Sequence, residues 1–287
     1  MNRNPSNTIN IQGHRGCRGL LPENTLEAFK KAIELGVQTI ELDVAVSKDN
    51  IVVVSHEPFM SRTICLDVNG KDIPKSDDKN YNLYQMTFDE IKQFDCGSKY
   101  HPRYPKQEKI KAYKPSLDEV MKASKQLNSN INFNIEFKSK PEYDGVFTPI
   151  PKEFVQLVLD VVNKNDAFNE TNLQSFDLRI LEEIKLQAPN MQVALLVDKH
   201  ENIWNKMAKM SFLPEIIGPY YRLLESKTVE NLQEEGFKVI PWTINSVRDM
   251  QKMIDLQVDG IISDYPDKLM ELLEYTMVPV YQQSRRK

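Results

Sequence analysis

The sequence predicts an α/β fold: a (β/α)8 TIM-type barrel with an insertion at the C-terminal mouth of its strands. Three observations point there. Eight short apolar or β-branched runs alternate with amphipathic helical runs, the pattern of βα units and a parallel sheet. One further apolar run returns too soon to be parallel. Three of the strands carry polar stripes that end in ionisable groups. A doubly wound sheet would show a similar alternation, but eight units are the number that closes a barrel.

Core strands are expected near 8–13, 37–44, 131–137, 171–175, 191–197, 214–218, 238–244 and 259–263. Helices are expected at about 25–35, 116–127, 152–164, 177–187, 201–210, 225–235 and 246–254, with a last one from 266. Pro22-Glu23-Asn24-Thr25 opens the first helix, with Asn24 or Thr25 as its N-cap. The run Ile51-Val52-Val53-Val54 follows the second strand after only the Ser47-Lys48-Asp49-Asn50 turn. So short a link cannot cross over, so the run must return antiparallel as a hairpin above the mouth. Residues 57–115 interrupt the alternation with polar chain rich in Lys, Asp, Pro and Tyr, and a brief helical pattern at 87–94. An insertion of that length is more often functional than idle. It reads as a subdomain on the mouth, within one domain spanning 1–287.

Hydrophobic residues make up 40% of the 287 and charged residues 27%, as in ordinary globular chains. A net charge of −4 gives no electrostatic reason to expect nucleic acid or an acidic membrane as a partner. The basic end Arg285-Arg286-Lys287 reads as solvated. Cys17, Cys65 and Cys96 show no CxxC spacing, so neither a disulfide framework nor a zinc knuckle is expected, and a reducing compartment fits. The start, Met1 to Asn10, lacks the apolar run of a signal peptide, and no stretch approaches the roughly 18 apolar residues of a membrane span. A cytoplasmic location follows, or a periplasmic or secreted one if a leader has been removed; stable membrane insertion is not expected.

Strand side chains alternate between faces. Thr39, Glu41 and Asp43 share one face of the second strand; Asn132, Asn134, Glu136 and Lys138 share one face of the third; Asn10, Gln12 and His14 share one face of the first. Barrel interiors are usually Val, Ile and Leu, so polar stripes there need partners. Their charged members sit at the C-terminal strand ends, where barrel active sites lie.

Glu41 and Asp43 reach the same volume, with Glu136 at the same level of another strand. Crowded carboxylates take up protons unless a cation neutralises them, and an all-oxygen set favours Mg²⁺ or Ca²⁺ over zinc. The alternative is pairing with Lys or Arg, Lys138 for instance. His14 ends the first strand and His56 the hairpin, where two imidazoles could serve as general acid and base. His101 and His200 read as ordinary polar residues. Arg15 and Lys138 are candidates to hold phosphate oxygens. Trp242 either lines an apolar wall or merely packs.

Taken together, Gly13-His14-Arg15-Gly16, Pro22-Glu23-Asn24-Thr25, Glu41-Leu42-Asp43-Val44 and His56-Glu57 form an ordered set. Ile135-Glu136-Phe137-Lys138, Ser175-Phe176, Trp242-Thr243-Ile244-Asn245 and Asp259-Gly260-Ile261-Ile262-Ser263-Asp264-Tyr265-Pro266 continue it. Over nearly the whole chain this resembles the glycerophosphodiester phosphodiesterase family. The resemblance implies a barrel with a mouth insertion, and one Ca²⁺ or Mg²⁺ held by Glu41, Asp43 and Glu136. It also implies acid–base work by His14 and His56, and phosphate contacts from Arg15 and Lys138. The expected reaction cleaves a small glycerophosphodiester to sn-glycerol 3-phosphate and an alcohol, through attack of a glycerol hydroxyl and a cyclic phosphate that water opens. Two departures touch loop detail: Glu57 where Asp is common, and Cys17 where Ala or Gly is common. The alternatives are lysophospholipase D-like cleavage of lysophospholipids, which needs an apolar mouth, and a non-catalytic barrel that binds a ligand.

Overall fold

The computed structural model describes residues 9–277; the expectations for the tail at 285–287 and for the opening residues 1–8 fall outside that range. The barrel strands are β1 (Asn10–His14), β2 (Thr39–Val46), β4 (Asn132–Phe137), β5 (Thr171–Ser175), β6 (Gln192–Val197), β7 (Ile216–Pro219), β8 (Lys238–Val239) and β9 (Gly260–Ser263). All pair in parallel in the order β8-β7-β6-β5-β4-β2-β1-β9. Between β8 and β9 no ladder forms, but Asp259 N donates to Val239 O, Ile262 N to Pro241 O and Ile244 N to Ile262 O, and these bonds close the ring. The short hairpin strand β3 (Val52–Val54) pairs antiparallel with β2, Val44 opposite Val54, as the four-residue link requires.

The helices are α1 (Leu26–Leu35), α2 (Phe88–Ile91), α3 (Leu117–Leu127), α4 (Pro151–Lys164), α5 (Leu178–Gln187), α6 (Ile203–Met207), α7 (Ser226–Glu234), α8 (Val247–Asp255) and α9 (Pro266–Met277). Two elements are shorter than the pattern predicts. The regular ladder of β8 ends at Val239 rather than near 244, although Ile240 N and Trp242 N go on donating to Ile217 O and Pro219 O of β7. Helix α6 spans five residues from its Asn202 cap instead of ten. Of the two candidate caps for α1, Thr25 takes the role, its hydroxyl accepting from Ala28 N.

The lumen divides in two. On the β1, β2, β4 and β5 side the polar stripes point inward and are buried. There Asn172 donates to Asn134 at 2.6 Å, Asn134 to Gln12 at 2.8 Å, and Gln174 to Glu41 at 3.0 Å. On the other side Ala194, Ile216, Ile240 and Ile262 form a separate apolar cluster under Trp242. The outward faces of the strands, such as Ile40, Leu42, Phe133 and Ile135, pack with the helices into the main core.

The insertion has its own apolar cluster, in which Met60, Leu83, Ile91 and Phe94 seat on Ala45 and Val53 of the hairpin. Within it Cys65 and Cys96 form a disulfide. The expectation of no disulfide is therefore wrong, because the irregular fold of the insertion, not a short motif, brings together residues 31 apart. Cys17 is free and buried beside α1, its thiol donating to Ala28 O, and burial pushes its pKa up to about 12. At about pH 8, where an exposed thiol reacts readily, a thiol reagent should find no reactive group in the native chain. It should find one after denaturation without reductant and all three after reduction. More than one thiol in the unreduced denatured sample would refute the bond.

Candidate active site

The C-terminal ends of the strands and the insertion enclose an open cavity of about 490 Å³. His14, Arg15, Glu41, His56, Glu136 and Lys138 line it, with Phe176, Leu196, Trp242 and Ile262 as an apolar wall. Of the residues expected to serve as metal ligands, acid–base groups or substrate contacts, all except Asp43 line this cavity. Asp43, fully buried, lies just beneath it. The register explains the convergence: β1 places His14 beside Glu41, and β4 places Glu136 beside Asp43.

One oxygen from each of Glu41, Asp43 and Glu136 lies within 4.8 Å of the others. Burial raises the Glu41 carboxyl well above its ordinary range, and the neighbouring charges of Asp43 and Glu136 push it further. Burial also raises Glu136, against the pull of Lys138. For Asp43 burial works in the same direction, but the Arg15 and Lys138 cations outweigh it and hold the group well below the usual carboxylate range. Lys138 Nζ sits 2.5 Å from Glu136 Oε1 and 3.2 Å from Asp43 Oδ1. Arg15 Nη1 is 2.6 Å from Glu23 Oε1, and its Nε lies 3.1 Å from Asp43 Oδ2. Arg15 takes a left-handed backbone (φ 52°), and its own N–H reaches Glu41 Oε2 at 3.0 Å.

These residues fit a hard divalent cation. The three donors are all carboxylate oxygens, matched to Mg²⁺ or Ca²⁺. Asp43 Oδ1 and Arg15 Nε, both buried, lack an aligned hydrogen bond, although each has an opposite charge near by. Polar atoms left so in a protein interior are uncommon and call for a partner. Asp43 Oδ1 is free to accept a cation, and Arg15 Nε to donate to an anion.

Each imidazole is backed by a carboxylate. His14 Nδ1 lies 2.6 Å from Asp264 Oδ1, and His56 Nδ1 lies 2.7 Å from Glu57 Oε1. An ionised carboxylate can only accept, so each Nδ1 carries a proton, leaving Nε2 as the atom that takes or gives one. His14 Nε2 stands 3.9 Å from Glu41 Oε2. Burial lowers the His14 pKa to about 4, against the attraction of Asp264 and with help from Arg18. For Asp264 burial is overcome by His14 and Arg18, which hold it well below the usual range.

Several residues of the site were given no part in it from the sequence. Asp264 shares the lumen-facing side of β9 with Ile262, and alternation along that strand would have signalled it. Arg18, which pairs with Asp264 at 2.9 Å and Glu23 at 3.4 Å, gave no local signal. Glu23 and Asn24, each explicable as capping, do something else: Glu23 pairs with the arginines, and Asn24 donates to Asp43 Oδ2 at 2.9 Å. His101, read as ordinary, is buried and lines the cavity, whereas His200 is exposed and is not among the residues that line it.

Fold and site together define a barrel hydrolase that acts on an anionic ester. Comparison with known proteins narrows this. The profile of the glycerophosphoryl diester phosphodiesterase family matches residues 14–268. A glycerophosphodiester phosphodiesterase of Caldanaerobacter subterraneus subsp. tengcongensis is 31% identical over 267 residues, covering 92% of this chain and 97% of its own. A crystal structure from Silicibacter pomeroyi superposes with a TM-score of 0.86 at 27% identity, covering 96% of each chain. An Oleispira antarctica phosphodiesterase, solved with its product sn-glycerol-3-phosphate, shares the fold at a TM-score of 0.73 and 23% identity, over 92% of this chain and 96% of its own. The chain belongs to the glycerophosphoryl diester phosphodiesterase family. It is a phosphoric diester hydrolase with glycerophosphodiester phosphodiesterase activity.

The carboxylate trio makes a binding prediction independent of turnover. Mg²⁺ or Ca²⁺ at about a hundred times its dissociation constant should stabilise the folded chain by about 2.7 kcal/mol, a rise of several degrees in Tm. Glu41→Gln should lose most of that rise. An equal shift in both proteins would exclude the trio as the cation site.

Proposed function

We propose that the chain hydrolyses small glycerophosphodiesters, such as glycerophosphocholine or glycerophosphoethanolamine, to sn-glycerol 3-phosphate and an alcohol. The observation that carries this reading is the convergence of three buried carboxylates and two carboxylate-backed imidazoles on one cavity. Glu41, Asp43 and Glu136 hold one Ca²⁺ or Mg²⁺, which when bound supplies positive charge against the phosphoryl oxygens. Arg15 and Lys138 bind those oxygens from the protein side. Both already face the carboxylates, so an anion in the cavity would share their charge.

His14 is the better base. Buried and held neutral, it presents a free Nε2 to the deep end of the cavity while Asp264 fixes its tautomer. It takes the proton from a glycerol hydroxyl as that oxygen bonds to phosphorus. His56, with about a third of its side chain exposed, stands nearer the mouth. The step calls for its imidazolium form: with Nδ1–H on Glu57, the second proton, on Nε2, passes to the leaving alcohol as the P–O bond breaks. Water then opens the cyclic phosphate with the two roles reversed, and both imidazoles return to their starting states. Trp242, held by a 2.8 Å bond from Nε1 to Gly218 O and by an edge contact with Phe176, offers the glycerol carbons an apolar wall.

The proposal treats residues 1–287 as one catalytic unit, because the cluster of the insertion shares Ala45 and Val53 with the barrel hairpin. Among the described residues no helix is long and apolar enough to cross a membrane. The disulfide favours an oxidising compartment over the cytosol, the reverse of what the cysteine spacing suggests.

Assays coupled to release of glycerol 3-phosphate should show turnover that stops on chelation and returns with added cation. His14→Ala and His56→Ala should each lower kcat by about 10²- to 10⁴-fold, and Asp264→Asn, which removes the Nδ1 acceptor, by about 10-fold or more. Full activity in excess chelator would rule the mechanism out.

A further inference from the structure

The inserted segment 57–115 sends one buried side chain into the support of each imidazole. Tyr104, 4% exposed, places its hydroxyl 2.7 Å from Asp264 Oδ2, the oxygen that does not face His14. That oxygen also accepts from Asn245 Nδ2 at 2.7 Å and Arg18 Nη2 at 3.2 Å. With its second oxygen so occupied, Asp264 can turn only Oδ1 toward His14. The Tyr104 ring lies under the Arg18 guanidinium, 5.1 Å from its centroid, and against His101 at 4.7 Å.

At the other end of the insertion Lys114, also 4% exposed, donates to Ser55 Oγ at 2.8 Å. Ser55 in turn donates to the backbone oxygen of Glu57 at 2.5 Å. These bonds enclose His56 on both sides, since Ser55 precedes it and Glu57 follows it. A buried ammonium with a neutral hydroxyl as partner is costly, and packing alone would be served by Met. Burial lowers its pKa, against the pull of the Glu57 and Glu23 carboxylates. Among the described residues no ion pair within 4.0 Å binds Lys114 to either, and its direct bond there goes to the relay that shapes the His56 turn.

We propose that Tyr104 and Lys114 are positioning residues, one for each imidazole. Through them the insertion is a working part of the acid–base apparatus and not only a cover over the cavity. Tyr104 acts on His14 through Asp264. Lys114 acts on His56 through Ser55 and the Glu57 backbone. Outer-shell partners of this kind govern the orientation of a reacting group without touching substrate.

The inference rests on the reading of His14 as base and His56 as acid, and the test separates the two. Wild-type protein, Tyr104→Phe, Lys114→Met and Ser55→Ala are assayed with Mg²⁺ on glycerophosphoethanolamine and on a glycerophosphodiester whose leaving group is p-nitrophenol. Melting temperatures of all four are measured alongside. On the natural-type substrate each variant should lose about 10-fold in kcat, with KM within about 2-fold of wild type and Tm retained. Nitrophenolate leaves without a proton, so the Lys114→Met and Ser55→Ala losses should shrink on that substrate, while the Tyr104→Phe loss persists. Ser55→Ala breaks the same relay from its other end, and agreement with Lys114→Met excludes a packing defect peculiar to the lysine. If wild type releases no glycerol 3-phosphate, the functional reading itself fails. If wild type is active, then unchanged kcat in Tyr104→Phe or Lys114→Met overturns the inference. So does a loss carried by KM alone, or a Lys114→Met loss of equal size on both substrates.

Discussion

The structure depends on the cost of gathering carboxylates where water cannot reach them. Glu23, Glu41, Asp43, Glu57, Glu136 and Asp264 stand in or beneath the cavity, and only Glu57 is appreciably exposed. Arg15, Arg18, Lys114 and Lys138 stand among them. Six carboxylates against these four buried cations and the exposed Arg103 leave an excess of negative charge, which a divalent cation would offset. The imbalance is also localised. Glu23 and Asp264 are paired with the arginines and held low, whereas Glu41 and Glu136 are raised. Missing positive charge is thus concentrated at the oxygens that could ligate a cation, and without one Glu41 and Glu136 are driven toward their protonated forms.

The two-sided lumen is the structural counterpart of that electrostatics. A polar barrel interior is tolerable only if its groups satisfy one another, and the bonds from Asn172 to Asn134 to Gln12 do this beneath the carboxylates. Gln174 extends the same logic upward by donating to Glu41. Groups held this way cannot reorganise freely, so the carboxylates are oriented before any substrate arrives. The apolar half, Ala194, Ile216, Ile240 and Ile262, needs no such network and supplies packing. It leads directly into the wall of Leu196 and Trp242, so carbon and charge are given opposite sides of one cavity.

Much of this was legible in the sequence because barrels translate local period into global position. Two-residue alternation in β1, β2 and β4 was enough to aim His14, Glu41, Asp43 and Glu136 at one volume. The brevity of the Ser47–Asn50 link fixed the hairpin and hence His56. What stayed hidden were contacts with no local period. Tyr104 reaches Asp264 from 160 residues away and out of irregular chain. The Cys65–Cys96 bond and the burial of Lys114 depend on how the insertion folds upon itself. Glu23 and Asn24 were hidden differently: an adequate local role, helix capping, masked a tertiary one.

The two imidazoles share a design and differ in setting, and the difference matches the acid and base roles proposed for them. Both have Nδ1 on a carboxylate and Nε2 as the atom that takes or gives a proton. His14 lies on a barrel strand, 7% exposed, where desolvation keeps it neutral and ready to accept a proton. His56 lies on the hairpin, where the barrel gives way to the insertion and its side chain is 30% exposed. An attacking hydroxyl belongs to the part of the substrate that stays, so its base can be sealed in the floor. A leaving alcohol must depart through the mouth, so the acid that protonates it belongs at the boundary with solvent. A barrel alone offers only the first environment. The second arises because β2 continues into a hairpin and an insertion folds over it.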